Sequence, residues 1–222
     1  SGVSRVRVAL VGIFMVGLAL RLILAFVIPL YPSCEPLPGY NDEPHHLQYV
    51  VHLASGRGWP WWQPFPDSLG PYNHEYTQPP LYYALAAQGY RIGERARSGW
   101  GLYGARLVSL FFGLVGALFV YRSALLLAGR RDSLVPPSPD RTVGSTVAGG
   151  ALAMMLVSPN PVLFTSLVTN DALLLCLAAM SLHSLVLCRL GRGGVVRQAL
   201  AGIFLAAAVW AKMSALALLP LA

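Results

Sequence analysis

Five apolar stretches, each long enough to cross a lipid bilayer as a helix, dominate this 222-residue chain. They cover about 8–30, 102–128, 142–167, 170–189 and 195–221. A helix rises ~1.5 Å per residue and the hydrocarbon core of a bilayer is ~30 Å thick, so about 20 residues suffice to cross it. Because lipid offers no water to backbone groups, such segments must form helices. The sequence therefore predicts an all-α polytopic membrane protein with about five transmembrane helices.

The charge content supports this class and argues against nucleic-acid binding. Charged residues make up 11% of the chain, whereas soluble domains carry about 25%. The formal net charge is +7, but the basic residues cluster at the ends of the apolar stretches. That distribution is typical of membrane topology, so we expect no nucleic-acid partner.

The basic clusters also predict an orientation. Arg5 and Arg7, the Arg130–Arg141 connection and the Arg189–Arg197 turn fall on one side of a five-span arrangement. The positive-inside rule makes that side cytoplasmic. The chain then divides into a first span (1–30), an extracytoplasmic loop (31–100) and four further spans (101–222).

The long loop over 31–100 has a different composition from the rest of the chain. It holds six of the nine acidic residues and four of the five histidines. Two amphipathic helices are predicted within it, one after Asn41-Asp42-Glu43-Pro44 and one after Gln78-Pro79-Pro80, because proline suits a first helical turn. Their apolar spacing favours a position at the membrane surface. Long loops of this kind usually carry function.

The first helix start places two carboxylates, Asp42 and Glu43, beside His46. An ionised carboxylate can take a proton from an attacking hydroxyl or hold a divalent cation, and an imidazole can add a nitrogen ligand. The alternative is that Asp42 is an ordinary helix cap.

The second helix start brings His74 and Glu75 to a similar place. No tight zinc-binding spacing is present, so a metal site would combine separated segments, such as His74, Glu75 and His46. The alternative is a proline-rich turn among aromatic side chains. Asn170-Asp171 opens a span on the same side, where free backbone amides could face a phosphate or simply be capped.

Two charged residues lie inside apolar stretches, Arg21 in the first and Lys212 in the fifth. Charges within spans are costly and mark candidate functional positions. Both side chains could instead extend toward the membrane surface.

These motifs, taken in order, resemble the GT-C superfamily of membrane glycosyltransferases, in particular the bacterial relatives of protein O-mannosyltransferases and the lipid A aminoarabinose transferase. The matching residues are Asp42-Glu43 with His46, Gln78-Pro79-Pro80-Leu81-Tyr82-Tyr83, Arg106, Asn170-Asp171 and Ala211-Lys212. The resemblance implies a bacterial inner-membrane enzyme that transfers a sugar from a polyprenyl-phosphate donor to an acceptor hydroxyl with inversion.

The resemblance also implies site residues. Asp42 would be the catalytic base with Glu43 in support, and a divalent metal ion would be held by His74, Glu75 and His46. The implied substrate-binding residues are Asp171, Asn170, Gln78, Tyr82, Arg106 and Lys212.

The chain carries fewer spans than GT-C enzymes do, which leaves two interpretations open. It is the N-terminal part of a longer enzyme, or it is a non-catalytic GT-C-like membrane subunit that packs against a larger membrane complex. Small residues at Gly113, Gly116 and Ala117 would permit the close helix contact that a membrane-protein partner needs. A transporter is a third interpretation, disfavoured because few charges lie within the spans.

Overall fold

The computed structural model describes residues 2–28, 42–60, 74–134 and 142–221, and all regular structure within these ranges is helical. The prediction of an all-α protein is therefore confirmed for the described residues. The α-helices are α1 (Gly2–Val27), α2 (Glu43–Ala54), α3 (Leu81–Ala96), α4 (Gly101–Leu134), α5 (Thr142–Val157), α6 (Pro159–Phe164), α7 (Asp171–Arg189) and α8 (Val195–Ala211). Two 3₁₀ segments cover His74–Thr77 and Met213–Leu221.

Three helices are long and apolar enough to cross a membrane, which is compatible with an integral membrane protein. The qualifying segments are Val8–Val27 in α1, Gly101–Gly129 in α4 and Asp171–Arg189 in α7. Two shorter apolar helices, Thr146–Val157 and Val195–Ala211, fall below that length. The count of five spans stays a prediction.

The two shorter helices correspond to apolar stretches that the sequence predicts as continuous spans. The stretch over 142–167 is interrupted at Ser158, whose backbone is extended (φ −62°, ψ 140°) between α5 and α6. Pro159 and Pro161 lack the N–H groups that would continue the helix of α5. The stretch over 195–221 is also divided, because α8 ends at Ala211 and Lys212 is extended (φ −158°, ψ 130°).

Arg21 of α1 fills the break between α5 and α6. Its guanidinium donates to the carbonyl oxygens of Met155 (2.7 Å) and Leu156 (2.8 Å) and to Oγ1 of Thr165 (2.8 Å). The N–H that would normally bond the Met155 carbonyl belongs to position 159, which is proline. Since Arg21 is fully buried, it does not extend toward a membrane surface. Its charge instead stabilises an interrupted helix.

Glycines bring α3 and α4 into backbone contact. The helices are antiparallel, and a Cβ placed on Gly104 would fall onto the carbonyl oxygen of Gly89. The same close approach recurs between Gly93 and Trp100. This contact holds α3 along α4 and turns Tyr82 and Tyr83 into the protein, where both are fully buried.

The small residues of α4 that could have met a partner protein are used inside this chain. A Cβ on Gly113 would meet the side chain of Thr165, and one on Gly116 would meet the backbone of Cys176 in α7. Ala117 is 1% exposed. The close-packing surface inferred from the sequence thus packs inside this chain, on α5, on α7 and on the segment after α6.

Because of the directions in which the helices run, several helix termini lie at the same end of the bundle. Helices α4 and α7 are parallel, since Gly116 lies against Cys176 and Ser123 bonds His183, so their N-termini share one end. The C-termini of α1 and α8 reach the same end, where α2 and α3 pack. Arg189 and the Gly191–Gly194 turn lie at the opposite end, after the last turn of α7. The candidate site occupies the first of these two ends.

Candidate functional site

A buried ion pair between Arg106 and Glu43 fixes the start of α2 to α4. Arg106 Nε donates to Glu43 Oε1 at 2.7 Å, and Nη2 donates to Oε2 at 2.6 Å. The backbone N–H of Val168 also donates to Oε1, at 2.8 Å. The remaining Arg106 nitrogen, Nη1, donates to the carbonyl oxygens of Ala25 and Ile28 at 2.8 Å. Three helices and the segment before α7 therefore meet at this one ion pair.

This pairing defines what the two residues do in the site. Arg106 is fully buried and Glu43 is 2% exposed, and both oxygens of Glu43 already accept hydrogen bonds. A buried charge without a partner is costly, so the pair is held as a unit. Neither Glu43 nor Arg106 lines the cavity, whereas the resemblance to GT-C enzymes implies a catalytic role for Glu43 and a substrate-binding role for Arg106.

Asp42, one residue before Glu43, is exposed and its carboxylate is not used as a helix cap. It occupies the N-cap position of α2, and its backbone carbonyl accepts from the N–H groups of His45 and His46. Within the described residues, its side chain makes no capping hydrogen bond. Because Pro44 in the first turn has no N–H to cap, the Asp42 carboxylate remains available to a ligand.

His46 and Glu75 form a buried polar pair that is braced by Tyr83. The His46 Nδ1 atom lies 3.1 Å from Glu75 Oε2 and 2.8 Å from the Tyr83 hydroxyl. The Tyr83 hydroxyl donates to Glu75 Oε2 at 2.8 Å. Burial, reinforced by the Glu75 charge, raises the pKa of Tyr83, so it stays a protonated donor.

Asp42, His46 and Glu75 converge from α2 and from the 3₁₀ segment. A ligand atom from each lies within 4.8 Å of the others. Two of the three metal ligands expected from the sequence, His46 and Glu75, are therefore adjacent, with Asp42 beside them. The side chain of the third, His74, lies outside the described part of the chain.

On the opposite wall, Lys212 meets Asp171. The Lys212 Nζ atom donates to Asp171 Oδ1 at 2.7 Å, and the two side chains are 27% and 30% exposed. The extended backbone at Lys212 ends α8 and lets the ammonium reach the first turn of α7. Neither the sequence spacing nor the hydropathy shows that these residues, 41 positions apart, form a pair.

These groups line a small polar cavity of about 170 Å³. Its lining residues are Asp42, His46, Glu75, Gln78, Phe164, Thr169, Asp171 and Lys212. Three carboxylates thus face one ammonium. Gln78 Oε1 is buried and has no hydrogen-bond partner among the described residues. Three predicted substrate-binding residues (Asp171, Gln78 and Lys212) therefore share this cavity with Asp42.

Two other predicted substrate-binding residues lie behind the cavity wall. Asn170 is fully buried, and neither polar atom of its amide has a hydrogen-bond partner in the ranges that the structure describes. Tyr82 is fully buried and its hydroxyl lies 2.7 Å from Ser109 Oγ. Burial raises the pKa of Tyr82, so its hydroxyl is protonated at neutral pH.

An apolar groove of about 460 Å³ adjoins the polar cavity. Phe164 and Asp171 line both spaces. The other groove residues come from α6, α7 and the 3₁₀ segment after α8, and are Asn160, Pro161, Leu174, Leu175, Ala178, Ser214, Ala215, Ala217 and Leu218. This groove was not predicted from the sequence. Its sequence signals are the Pro159-Asn160-Pro161 interruption and Lys212 within an apolar stretch.

No protein-family profile, curated protein or solved structure matches this chain.

Proposed function

We propose that this protein is a membrane glycosyltransferase, or the N-terminal part of one, that moves a sugar from a polyprenyl-phosphate donor to an acceptor hydroxyl. The observation that supports this most directly is the continuity of a charged cavity with an apolar groove through Phe164 and Asp171. A lipid-linked sugar phosphate has two matching parts, a charged phosphate with its sugar for the cavity and an apolar polyprenyl chain for the groove. Ligand sites usually combine apolar walls with a few polar groups that fix orientation.

The chemistry assigns separate tasks to the two walls of the cavity. The Asp42 carboxylate takes the proton of the acceptor hydroxyl as that oxygen bonds to the anomeric carbon. The bond from that carbon to the phosphate oxygen breaks, and the electron pair leaves with the polyprenyl phosphate. Attack opposite the leaving group inverts the anomeric configuration. The Lys212 ammonium on the far wall binds the donor phosphate, both in the bound donor and in the departing polyprenyl phosphate.

The membrane orientation follows from the distribution of charge. The cavity includes Asp171, the first residue of α7, whereas Arg189 is the last residue of that helix and Arg192 and Arg197 follow it. The positive-inside rule assigns these arginines to the cytoplasm. The transfer site is then extracytoplasmic, at the depth where a polyprenyl chain can lie in lipid while its phosphate meets water. We assign the protein to a bacterial inner membrane on the basis of its resemblance to GT-C enzymes.

The experiment that tests this function compares Asp42→Asn with Glu94→Gln in the full protein, reconstituted in lipid nanodiscs with polyprenyl-phosphate sugars. Loss of a general base lowers kcat by about 10²–10⁴-fold. Glu94 accepts from the N–H groups of Gly99 and Gly101, outside the cavity, and its replacement should leave transfer unchanged. Equal rates for Asp42→Asn and the unmodified protein would refute the catalytic assignment.

A non-catalytic subunit is the alternative that the sequence leaves open. It was suggested by the small number of spans, and the supporting observation of small residues on α4 is weakened because Gly113 and Gly116 pack on Thr165 and Cys176 of the same chain. Co-purification of a stoichiometric membrane partner, together with no sugar transfer, would favour that alternative.

A further inference from the structure

We propose that the end of the helix bundle away from the cavity binds an acidic phospholipid through Arg122 of α4 and Arg197 of α8. Both arginines are exposed, and both lie close enough to His183 of α7 for their charges to act on its ring. We call Arg122, His183 and Arg197 the basic cluster, because it joins basic side chains from three helices. The proposal does not rest on sugar transfer, since it requires only a bilayer around these helices.

Arg122 differs from the other two arginines inside the candidate spans of α1 and α4. Arg21 and Arg106 are fully buried, and each donates four hydrogen bonds within the chain. Arg122 also lies inside the candidate span Gly101–Gly129, but it is exposed and pairs with no acidic side chain among the described residues. A guanidinium without a counter-ion is costly in a membrane, so Arg122 needs an anion from outside the protein.

The three helices offer the basic cluster no nearby acidic residue. The sequence from 172 to 222 contains neither aspartate nor glutamate, and Asp171 lies at the cavity end of α7. The one acidic residue of α4, Asp132, comes ten positions after Arg122, which is ~15 Å along the helix axis. Lipid phosphates are the anions that a membrane supplies at this depth, and the guanidinium fork fits phosphate oxygens in a bidentate manner.

The N-terminus of α8 adds a second group of donors for a phosphate. Helix α8 begins at Val195 after Gly194, which has no side chain to cap the first N–H groups. Uncapped N–H groups and the helix dipole both favour an anion. Arg197 is the third residue of the helix, and its Cβ is tilted toward those N–H groups. The Ser181 hydroxyl fixes α8 against α7 nearby, by donating to the Ala201 carbonyl oxygen at 3.0 Å.

A hydrogen bond between Ser123 and His183 holds α4 against α7 at the level of Arg122. The Ser123 hydroxyl donates to the Phe119 carbonyl oxygen at 2.8 Å, so His183 Nδ1, 3.1 Å from Ser123 Oγ, is the donor in the second contact. The Phe119 ring packs edge-on against His183, with centroids 5.3 Å apart. These contacts make the basic cluster rigid, and a preorganised site loses little conformational entropy when a ligand binds.

Exposed leucines beside the two arginines fit the acyl chains of a phospholipid. Leu118 precedes Arg122 by four positions and Leu200 follows Arg197 by three, so each leucine shares a helix face with its arginine. Their side chains are 44% and 36% exposed. Since both leucines lie on the cavity side of the arginines, they are deeper in the bilayer. A phosphate at the arginines would therefore place its acyl chains along the leucines.

The charge and the apolar surface together select an acidic phospholipid. Phosphatidylcholine has the same phosphate but adds an ammonium group, which two arginines repel. Inorganic phosphate has the charge but no acyl chains to cover the leucines. Phosphatidylglycerol combines a net negative charge with two chains and is the probe for the test.

The test measures lipid binding without any sugar donor. The full protein is delipidated in a neutral detergent and titrated with phosphatidylglycerol, and bound lipid is counted by native mass spectrometry. We expect one tightly bound lipid per chain, held at least about tenfold more tightly than phosphatidylcholine. Arg122→Gln and Arg197→Gln should each weaken binding about tenfold, because each removes a charged hydrogen bond.

Arg189→Gln is the matched control for loss of one cation at the same end of the bundle. Arg189 is exposed and is the last residue of α7, six positions after His183. Its replacement should weaken phosphatidylglycerol binding less than about threefold if the two proposed arginines form a defined site. Because all three arginines are exposed, the unfolding midpoints of the variants without lipid should match that of the unmodified protein.

Each result decides the proposal. Tight binding that Arg122→Gln and Arg197→Gln weaken and Arg189→Gln retains supports the site. Equal losses in all three variants would show a general attraction to positive charge and overturn it. Equal affinity for phosphatidylcholine, or displacement of the lipid by inorganic phosphate, would also overturn it. No sugar transfer is measured, so the failure of this proposal leaves the proposed enzyme function untouched.

Discussion

Arg106 holds both carboxylate oxygens of Glu43 although the two residues lie 63 positions apart in the chain. The planar guanidinium donates two hydrogen bonds to the planar carboxylate, a bidentate geometry that lysine cannot reproduce. Through its third nitrogen, Arg106 also holds the last turn of α1. Asp42 is placed at the cavity because the adjacent residue is fixed in this way.

Breaking the Arg106–Glu43 pair should destabilise the fold strongly. Glu43→Gln and Arg106→Gln each leave an uncompensated buried charge, which costs about 3–5 kcal/mol. The double variant should cost less than the sum of the two, since neither charge then remains alone. The unfolding free energies of the two single variants and the double variant are measured by thermal or denaturant unfolding in the same detergent. Arg95→Gln, at an exposed position of α3, should stay within about 0.5 kcal/mol of the unmodified protein. Additive costs for the pair would show that the two residues act independently.

The substitution Gly104→Ala should force α3 and α4 apart and destabilise the protein. Its Cβ would meet the Gly89 carbonyl, and overpacking of this kind costs about 1–3 kcal/mol. Gly129→Ala is the matched control in the same helix, because nothing lies within 4 Å of its Cβ. Alanine favours the helix by up to ~1 kcal/mol, so the control should be neutral or slightly stabilising. Unfolding midpoints compare the two, and equal effects would contradict the observed α3–α4 contact.

The role of Arg21 can be tested by replacing Pro159, because the N–H that proline lacks would otherwise bond the Met155 carbonyl that Arg21 now bonds. Arg21→Met leaves the Met155 and Leu156 carbonyls without their donors, at about 1–3 kcal/mol for each group. In a Pro159→Ala background the restored N–H can bond the Met155 carbonyl, so the same substitution should cost less. The difference in unfolding free energy between the two backgrounds is the measurement. An equal loss of unfolding free energy in both backgrounds would mean that Arg21 does not act by stabilising the interruption between α5 and α6.

Replacing Lys212 should affect donor binding more than turnover. Lys212→Gln removes the ammonium of the cavity, and a lost charged hydrogen bond to phosphate is worth about 1.5–3 kcal/mol. That energy corresponds to a roughly ten- to a hundredfold rise in KM for the polyprenyl-phosphate donor. Steady-state kinetics with the donor varied would measure it, with Arg95→Gln as the control for loss of a distant cation. An unchanged KM would exclude Lys212 from phosphate binding.

Local sequence patterns determined the class of the fold and several helix ends. The chain forms α7 over Asp171–Arg189, as its apolar stretch and its Asn170-Asp171 start indicate. Helix α2 begins after Asp42, where Pro44 suits the first turn, and ends before Gly56, whose φ is +76°. These features depend on hydropathy, proline and glycine within a few residues of each position. They can be read locally because helix formation is itself local.

The tertiary structure alone decided which charged residues pair and which face the cavity. Asp42 and Glu43 are adjacent and chemically alike, yet one is exposed at the cavity and the other is enclosed by Arg106 and Val168. Likewise, Lys212 reaches Asp171 only because α8 ends in an extended residue beside the start of α7. Such pairings join residues 41–125 positions apart. They depend on how closely the helices pack and in which direction they run, and a one-dimensional pattern contains neither quantity.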